Sequence, residues 1–182
     1  MATLIQAGQR LTASALNHIY ATGDANTRTV TGTSMANISS QSVIAANDAL
    51  IGTCYRQSSW GTGTQGSSAQ NLSFRANTIG GGGLNAVTID SGFCSSGAQF
   101  RWMARMTLVV SAIGSSGAVG GFLEGLVVQT GVTTPSINFN SAWNAVTTNT
   151  AASWGIEIDC DWASTTGSPT ISCNGTLFER IG

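Results

Sequence analysis

Apolar and polar residues alternate with a period of two along most of the chain, beginning at Thr27. Clusters of Gly, Ser, Thr and Asn interrupt the alternation at regular intervals, as is typical of the turns between strands. The pattern predicts ten strands, at residues 27–34, 41–46, 50–58, 70–76, 84–90, 99–112, 119–129, 137–147, 153–163 and 169–178. Many short strands with regular turns favour an antiparallel sandwich or barrel, and the longest strands favour a jelly roll. We therefore expect an all-β, antiparallel jelly-roll sandwich.

A short segment near the N-terminus has helical rather than strand spacing. Residues 11–21 contain Thr12, a favourable N-cap, and an apolar stripe on one helix face. A helix of about three turns is not stable alone in water, so the stripe has to dock on its own domain or on another subunit. We predict an N-terminal helical arm over residues 1–26, with a hinge at 22–26, and a β-sandwich domain over 27–182. The apolar contact residues expected in the arm are Leu4, Ile5, Leu11, Leu16, Ile19 and Tyr20.

The charge of the chain is unusually low. Asp, Glu, Lys and Arg make up 8% of the 182 residues, and all seven basic residues are Arg, whereas a typical domain has about 25% charged residues. Much of the surface is therefore expected to be covered by copies of the chain or by a larger assembly. The net charge of −1 argues against nucleic acid as a partner, and no apolar run is long enough to span a membrane. The first 13 residues lack the pattern of a secretion signal, which predicts assembly in a reducing cytosol.

The last two predicted strands place two cysteines close together. If residues 164–169 form a hairpin turn, Cys160 lies opposite Cys173 on the buried face, and directly opposed residues have Cβ atoms about 4.5–5.5 Å apart. A pair of buried thiols and a disulfide both fit this spacing, and a reducing cytosol favours the thiols. The chain has four Cys, no C-x-x-C motif and one His, so we predict no structural metal site.

Three carboxylates follow one face of the strand at 153–163, namely Glu157, Asp159 and Asp161. Such a row could bind calcium or supply an acid–base pair. A solvent-facing row, or one neutralised by Arg from a neighbouring strand, is the simpler interpretation. Arg101 and Arg105 share one face of another predicted strand, which makes them the expected partners.

Other candidate residues give weaker signals. His18 has no recognisable nucleophile motif around it, since no G-x-S-x-G sequence is present. The four glycines at 80–83 are not followed by G-K-[ST], so they predict a mobile hairpin tip rather than a phosphate loop. Trp60 is the tryptophan expected to be exposed, at the start of the loop 61–68, where it could contact a partner protein or a glycan. We predict no catalytic residue and no cofactor.

Three short motifs resemble segments of virion structural proteins of tailed bacteriophages, including those of actinobacteria. They are GQRLTA at 8–13 followed by Leu16 and Asn17, GTCYR at 52–56 with WGTGT at 60–64, and WASTTGSPT at 162–170 with FERI at 178–181. Similar motifs occur in head-fibre, capsid-decoration and minor tail proteins. The resemblance implies a jelly roll like that of tumour necrosis factor, assembled as a homotrimer, and it implies no set of functional residues.

Taken with the low charge, the resemblance predicts a non-enzymatic trimeric appendage on the capsid exterior. Its arm would attach to the major capsid protein or to another virion protein, and the particle would assemble in the host bacterial cytoplasm. Two alternatives stay open. A tail fibre or receptor-binding module would contact host-surface glycans near Trp60 or residues 80–83. A jelly-roll glycan hydrolase would need two carboxylates in one groove, about 5–9.5 Å apart, with Glu124, Glu157 and Asp159 as the candidates.

Overall fold

A computed structural model describes residues 21–25, 27–81, 86–131 and 136–181. Over these residues the chain forms β-strands, turns and one short 3-10 helix at Ser91–Phe93. The strands are β1 (Ala21–Asp24), β2 (Arg28–Val30), β3 (Ala36–Asn37), β4 (Ser42–Ile44), β5 (Cys54–Thr64), β6 (Leu72–Ile79), β7 (Val87–Ile89), β8 (Gln99–Ala112), β9 (Ala118–Gln129), β10 (Ile137–Thr147), β11 (Trp154–Trp162) and β12 (Thr170–Arg180). Within the described ranges, no helix has the length and hydrophobicity needed to span a membrane.

The strands form two antiparallel sheets. The larger sheet has the order β1-β12-β5-β8-β9-β10, with β2 also paired to β12. The smaller sheet has the order β3-β11-β6-β7, with β4 also paired to β11. The chain crosses repeatedly between the sheets, from β5 to β6, from β7 to β8, from β10 to β11 and from β11 to β12, while the β9–β10 hairpin extends the larger sheet. The predicted all-β jelly-roll sandwich is therefore confirmed.

Aromatic side chains from both sheets fill the space between them. Phe74 of the smaller sheet lies 5.4 Å from Trp102 of the larger sheet, between ring centroids, and stacks on Phe139 at 4.9 Å. Further along the core, Phe100 of the larger sheet contacts Trp162 of the smaller sheet at 6.1 Å. These residues are at most 7% exposed. Their inward positions follow the period-two alternation that predicted the strands.

Each of the ten predicted strands overlaps an observed strand, but the predicted loop at 61–68 is partly wrong. Residues 61–64 continue β5 and pair with β8 on one side and β12 on the other. Gly61 and Gly63 look like turn residues in the sequence, yet they are needed for close packing. A Cβ atom at Gly63 would lie within 3.0 Å of three carbons of the Phe100 ring. The two short strands β1 and β3 were not predicted.

The hinge predicted at 22–26 is also partly wrong, because residues 21–24 form β1. This strand pairs with β12 in the register Ala21 to Glu179 through Asp24 to Thr176, so it belongs to the larger sheet. The predicted helix at 11–21 lies outside the described residues up to position 20, as do His18 and the arm contacts Leu4, Ile5, Leu11, Leu16, Ile19 and Tyr20. In the segment 80–83, Gly80 has a left-handed φ of 85°, and residues 82–83 lie outside the described ranges.

Candidate interaction surfaces

The outward side of the larger sheet carries large apolar side chains. Trp60 of β5 lies opposite Met103 of β8, and Met103 lies opposite Leu126 of β9, which makes a row across three strands. Phe122 of β9 lies on the same side, four residues along the strand from Leu126. Trp60 is 44% exposed and Phe122 is 40% exposed. We call Trp60, Met103, Phe122 and Leu126 the apolar face of the larger sheet.

Four of the charged residues on this side are paired within the sheet, whereas the exposed Arg101 of β8 forms no ion pair among the described residues. Arg105 lies directly opposite Glu124, with Arg105 Nη1 3.6 Å from Glu124 Oε1. Arg56 lies directly opposite Glu179, with Arg56 Nη1 3.8 Å from Glu179 Oε2. All four side chains are 36–46% exposed, so each pair contributes little to folding stability, about 0–1 kcal/mol. The two pairs themselves carry no net charge, and Arg101, two residues from Met103 along β8, adds one positive charge to this side.

Trp60 is exposed, as expected, but it lies within a strand rather than at the start of a loop. Its ring rests against Gly175 of β12, where a Cβ atom would lie 2.5 Å from Trp60 Cζ2. The register between β5 and β12 shifts between Cys173 and Gly175. The missing side chain at Gly175 thus lets the indole lie close to the sheet, as a flat apolar platform.

The acidic row on the smaller sheet is neutralised by an Arg, but not by the predicted ones. Asp159 of β11 lies opposite Arg75 of β6, and Arg75 Nη2 is 2.6 Å from Asp159 Oδ2. The predicted partners Arg101 and Arg105 are wrong because β8 belongs to the larger sheet, on the other side of the core. The Asp159 side chain is 4% exposed and the Arg75 side chain is 29% exposed, so the carboxylate is largely removed from water while the guanidinium keeps some contact with it.

Neutral polar side chains hold the neighbouring carboxylate. Asn77 Nδ2 donates to Glu157 Oε1 at 2.8 Å, and Asn37 and Gln41 donate to Glu157 Oε2. Arg28 Nη1 in turn donates to Asn37 Oδ1 at 3.1 Å. Glu157 is therefore embedded in a network that joins β2, β3, β6 and β11. The hydrogen bonds from these three donors explain the position of the Glu157 carboxylate in structural terms.

Asp161, the third carboxylate of the row, is less enclosed. Burial raises the pKa of its carboxyl above the usual 3.8, while a hydrogen bond from Ser73 and the charge of Arg75 act in the opposite direction. Among the described residues, no three His, Cys, Asp or Glu side chains are grouped so that they could hold a metal ion.

Glu124 does not share a groove with Glu157 or Asp159. It lies on the outward side of the larger sheet and pairs with Arg105, whereas the other two carboxylates point outward from the smaller sheet. Since the core separates these two sides, the carboxylate pair that a glycan hydrolase would need cannot include Glu124. Glu157 and Asp159 share one side, but both are engaged in the polar contacts described above.

The predicted hairpin between the two cysteine-bearing strands is wrong. Strand β11, with Cys160, belongs to the smaller sheet, and β12, with Cys173, belongs to the larger sheet. Both side chains are buried, and all four cysteines of the chain are free thiols. Burial raises the pKa of Cys160 well above its ordinary value, and Asp161, Asp159 and Cys173 raise it further. Alternation correctly identified the inward face of each strand but could not tell which sheet the strand joins.

The sequence did not indicate a cleft of about 450 Å³ beside β1, β4 and β12. Its lining includes Tyr55, Phe178 and the ion pair between Arg180 Nη1 and Asp48 Oδ2, which are 2.8 Å apart. The Tyr55 ring stacks on Phe178 with a centroid distance of 5.9 Å and contacts Trp154 edge-on at 5.6 Å. Burial raises the pKa of Tyr55 to about 12, opposed by Arg180 and supported by Asp48. Tyr55 Oη has no hydrogen-bond partner among the described residues.

The chain was compared with protein families, curated proteins and solved structures. No family model matches the chain, and no curated protein matches it. Among solved structures, a legume lectin-like domain from Entamoeba histolytica is similar at 10% sequence identity, with a TM-score of 0.31. The similarity covers 86% of this chain and 91% of that domain. This similarity is too low to support a conclusion about function.

Proposed function

We propose that the protein is a non-enzymatic structural subunit of a bacteriophage virion, a capsid-decoration or head-fibre type of appendage that assembles as a homotrimer. The observation that carries the proposal is the apolar face of the larger sheet, Trp60, Met103, Phe122 and Leu126. Exposed apolar surface of this kind marks protein–protein contacts. Tryptophan in particular is enriched among the residues that dominate binding energy.

The electrostatics of the same surface favour contact between identical subunits. Arg105 is paired with Glu124 and Arg56 with Glu179 within one chain, so these four side chains add no unpaired like charges to a contact between copies, and Arg101 remains as the exposed cation on the same side. Buried charges without partners are costly. An interface that has already paired its charges avoids much of this cost.

The free edge of the larger sheet offers a second contact. Strand β10, Ile137–Thr147, is 11 residues long and contains no charged residue and no proline. Among the described strands it pairs with β9 and with no other. A long, uncharged edge strand tends to pair with another chain unless something covers it. Assembly would provide that cover, and it would also account for the 8% charge content.

The virion context comes from the motifs at 8–17, 52–64 and 162–181 that resemble phage structural proteins. In this proposal the N-terminal arm attaches the trimer to the major capsid protein or to another virion protein, and the sandwich projects from the outer surface. A protein close to neutral charge suits the exterior better than the DNA-facing interior.

The test is the molar mass of the purified chain, measured by size-exclusion chromatography with light scattering at micromolar concentration. We expect a trimer for the natural sequence and a monomer for Phe122→Glu, because the new carboxylate would be buried without a partner. Val43→Glu is the matched control, since Val43 is 64% exposed but lies on β4 of the smaller sheet, away from the apolar face. A monomeric natural protein, or equal dissociation by both variants, would refute the proposal.

The exposed indole of Trp60 favours a second candidate function, binding of host-surface glycans by a tail fibre or receptor-binding module. A flat aromatic ring can stack on a sugar ring. Sedimentation of the protein with host cell walls would be abolished by Trp60→Ala and retained by Phe122→Glu if this function is correct. Loss of sedimentation in neither variant would exclude Trp60 as the glycan contact.

A further inference from the structure

Exposed apolar side chains gather at one end of the sandwich. Of the nine large hydrophobic side chains that are exposed in the described part of the chain, five lie there, at 43–67% exposure. We call these five residues the end patch. They are Leu50, Ile51, Val109, Ile113 and Ile181.

Backbone hydrogen bonds bring the members of the end patch together. The N–H of Gly52, next to Ile51, donates to the Val110 carbonyl at 2.8 Å. The N–H of Ile181 donates to the Cys54 carbonyl at 2.8 Å, and Cys54 lies opposite Val109. Ile113 directly follows the last residue of β8. The patch therefore combines the 50–53 turn, the end of β8 and the end of β12.

The first residue of β1 lies at the same end of the sandwich. Ala21, the first residue of β1, lies opposite Glu179 of β12, and the two strands are antiparallel. Strand β1 therefore begins at the end of the sheet where Ile181 lies. Residues 1–20 start from this position, and their last apolar residues, Ile19 and Tyr20, are immediately next to it in the sequence.

We propose that the end patch binds residues 11–20 of the same chain, through the apolar stripe Leu16, Ile19 and Tyr20. Ten residues in a helix extend about 15 Å. Packed sheets are about 10 Å apart, so a helix of this length can lie across the end of the sandwich and cover side chains from both of its edges. Docking would also provide the tertiary contact that so short a helix requires.

Charge is compatible with this occupant. Residues 11–20 contain no Asp, Glu, Lys or Arg. The charged pair beside the patch, Arg180 and Asp48, is already closed at 2.8 Å. Docking therefore removes no unpaired carboxylate, lysine or arginine side chain from water, and apolar burial is the main contribution.

The short connection favours the segment of the same chain over that of a second copy. A segment joined by a short linker has an effective concentration on the order of millimolar. A separate copy at micromolar concentration would compete poorly. In the virion appendage proposed above, this arrangement would leave residues 1–10, with Leu4 and Ile5, for attachment to the shell.

Hydrogen exchange measured by mass spectrometry tests the docking on the full chain. Leu16→Asp places a charge on the stripe, and Ser14→Asp places the same charge off the stripe as a matched control. We expect Leu16→Asp to raise the exchange rate of the 50–53 turn by at least about fivefold, because local opening becomes easier. Ser14→Asp should leave that rate unchanged. The reciprocal variant Ile51→Asp, on an exposed turn, should accelerate exchange within residues 11–20.

Two results would overturn the inference. Equal exchange in the Leu16→Asp and Ser14→Asp variants would show that the stripe does not cover the patch. Protection of residues 50–53 that rises when the protein concentration is raised about tenfold would assign the patch to the segment of another copy, since association follows mass action. Both readouts are independent of the trimer mass that tests the proposed function.

Discussion

Replacing Gly61 with alanine tests the close packing at the centre of the larger sheet. Gly61 lies in β5 between Trp102 of β8 and Cys173 of β12. A Cβ atom there would come well inside 3.0 Å of the Ser172 carbonyl oxygen and lie 2.9 Å from Trp102 Nε1. Real Cβ atoms essentially never approach so closely. Since β5 is paired on both sides, the backbone cannot move away without breaking ladder hydrogen bonds.

Two costs add up in the Gly61→Ala variant. Forcing a methyl group into a well-packed region costs about 1–3 kcal/mol. The methyl group also displaces the hydrogen bond from Trp102 Nε1 to the Ser172 carbonyl, which is 3.0 Å long, and leaving a buried donor without a partner costs about 1–3 kcal/mol. The reduced flexibility of the unfolded chain returns about 0.4–1 kcal/mol. We therefore expect a net loss of about 3 kcal/mol in the free energy of unfolding.

Urea denaturation followed by tryptophan fluorescence measures this loss, and thermal unfolding gives a second measure of it. The melting temperature should fall by roughly 6–12 °C, at about 2–4 °C per kcal/mol for a domain of this size. Gly92→Ala is the matched control, because a Cβ atom at Gly92 meets nothing within 4 Å and its stability should change by less than about 1 kcal/mol. Equal stability of the two variants would refute the packing described for Gly61.

Buried polar groups in both sheets lead to three more predictions. The pKa of Tyr55 is raised to about 12 from an ordinary value of 10, so the protonated phenol makes its full contribution to stability below pH 10, and this contribution is lost as pH rises toward 12. Urea midpoints should show this alkaline loss in the natural protein and not in Tyr55→Phe. Arg75→Met leaves the buried Asp159 carboxylate unpaired and should cost about 3 kcal/mol, with recovery in the double variant Arg75→Met/Asp159→Asn; no recovery would contradict the ion pair. The raised pKa of Asp161 means that its ionised form opposes folding, so the stabilising contribution exists below pH 3.8 and is lost at higher pH. Asp161→Asn should accordingly match or slightly exceed the natural stability in denaturation near neutral pH, and a loss above about 1 kcal/mol would refute this.

Period-two alternation carries the information that located the strands. It identified the inward face of strands such as β8 and β11 because their apolar residues repeat at every second position. It failed at residues 61–64 because glycine is common in turns, while here Gly61 and Gly63 make room for Trp102 and Phe100. Which positions need glycine depends on which strands become neighbours, and the sequence of a single strand does not show this.

The sequence also did not show which of the two sheets each strand joins. The alternation of β11 and β12 fits a hairpin and a crossover between facing sheets equally well, so the predicted pairing of Cys160 with Cys173 had no independent support. The same error led to Arg101 and Arg105 as partners of the acidic row instead of Arg75. The cleft beside Tyr55 and the end patch depend on contacts between distant turns and strand ends, for which no local pattern exists.

The two outward sides of the sandwich differ in the side chains they present, which are mainly polar on the smaller sheet and partly apolar on the larger sheet. On the smaller sheet, Glu157 accepts hydrogen bonds from Asn37 of β3 and Asn77 of β6, and Asp159 is paired with Arg75 through one oxygen, so both carboxylates have partners within the sheet. On the larger sheet, Trp60 and Phe122 gain nothing from water, and four of the five charged side chains around them, Arg56, Arg105, Glu124 and Glu179, are already paired. Burial of the larger sheet against copies of the chain therefore removes apolar area from water at little electrostatic cost. Burial of the smaller sheet would add no comparable apolar contact, which is why we orient it toward solvent in the proposed appendage.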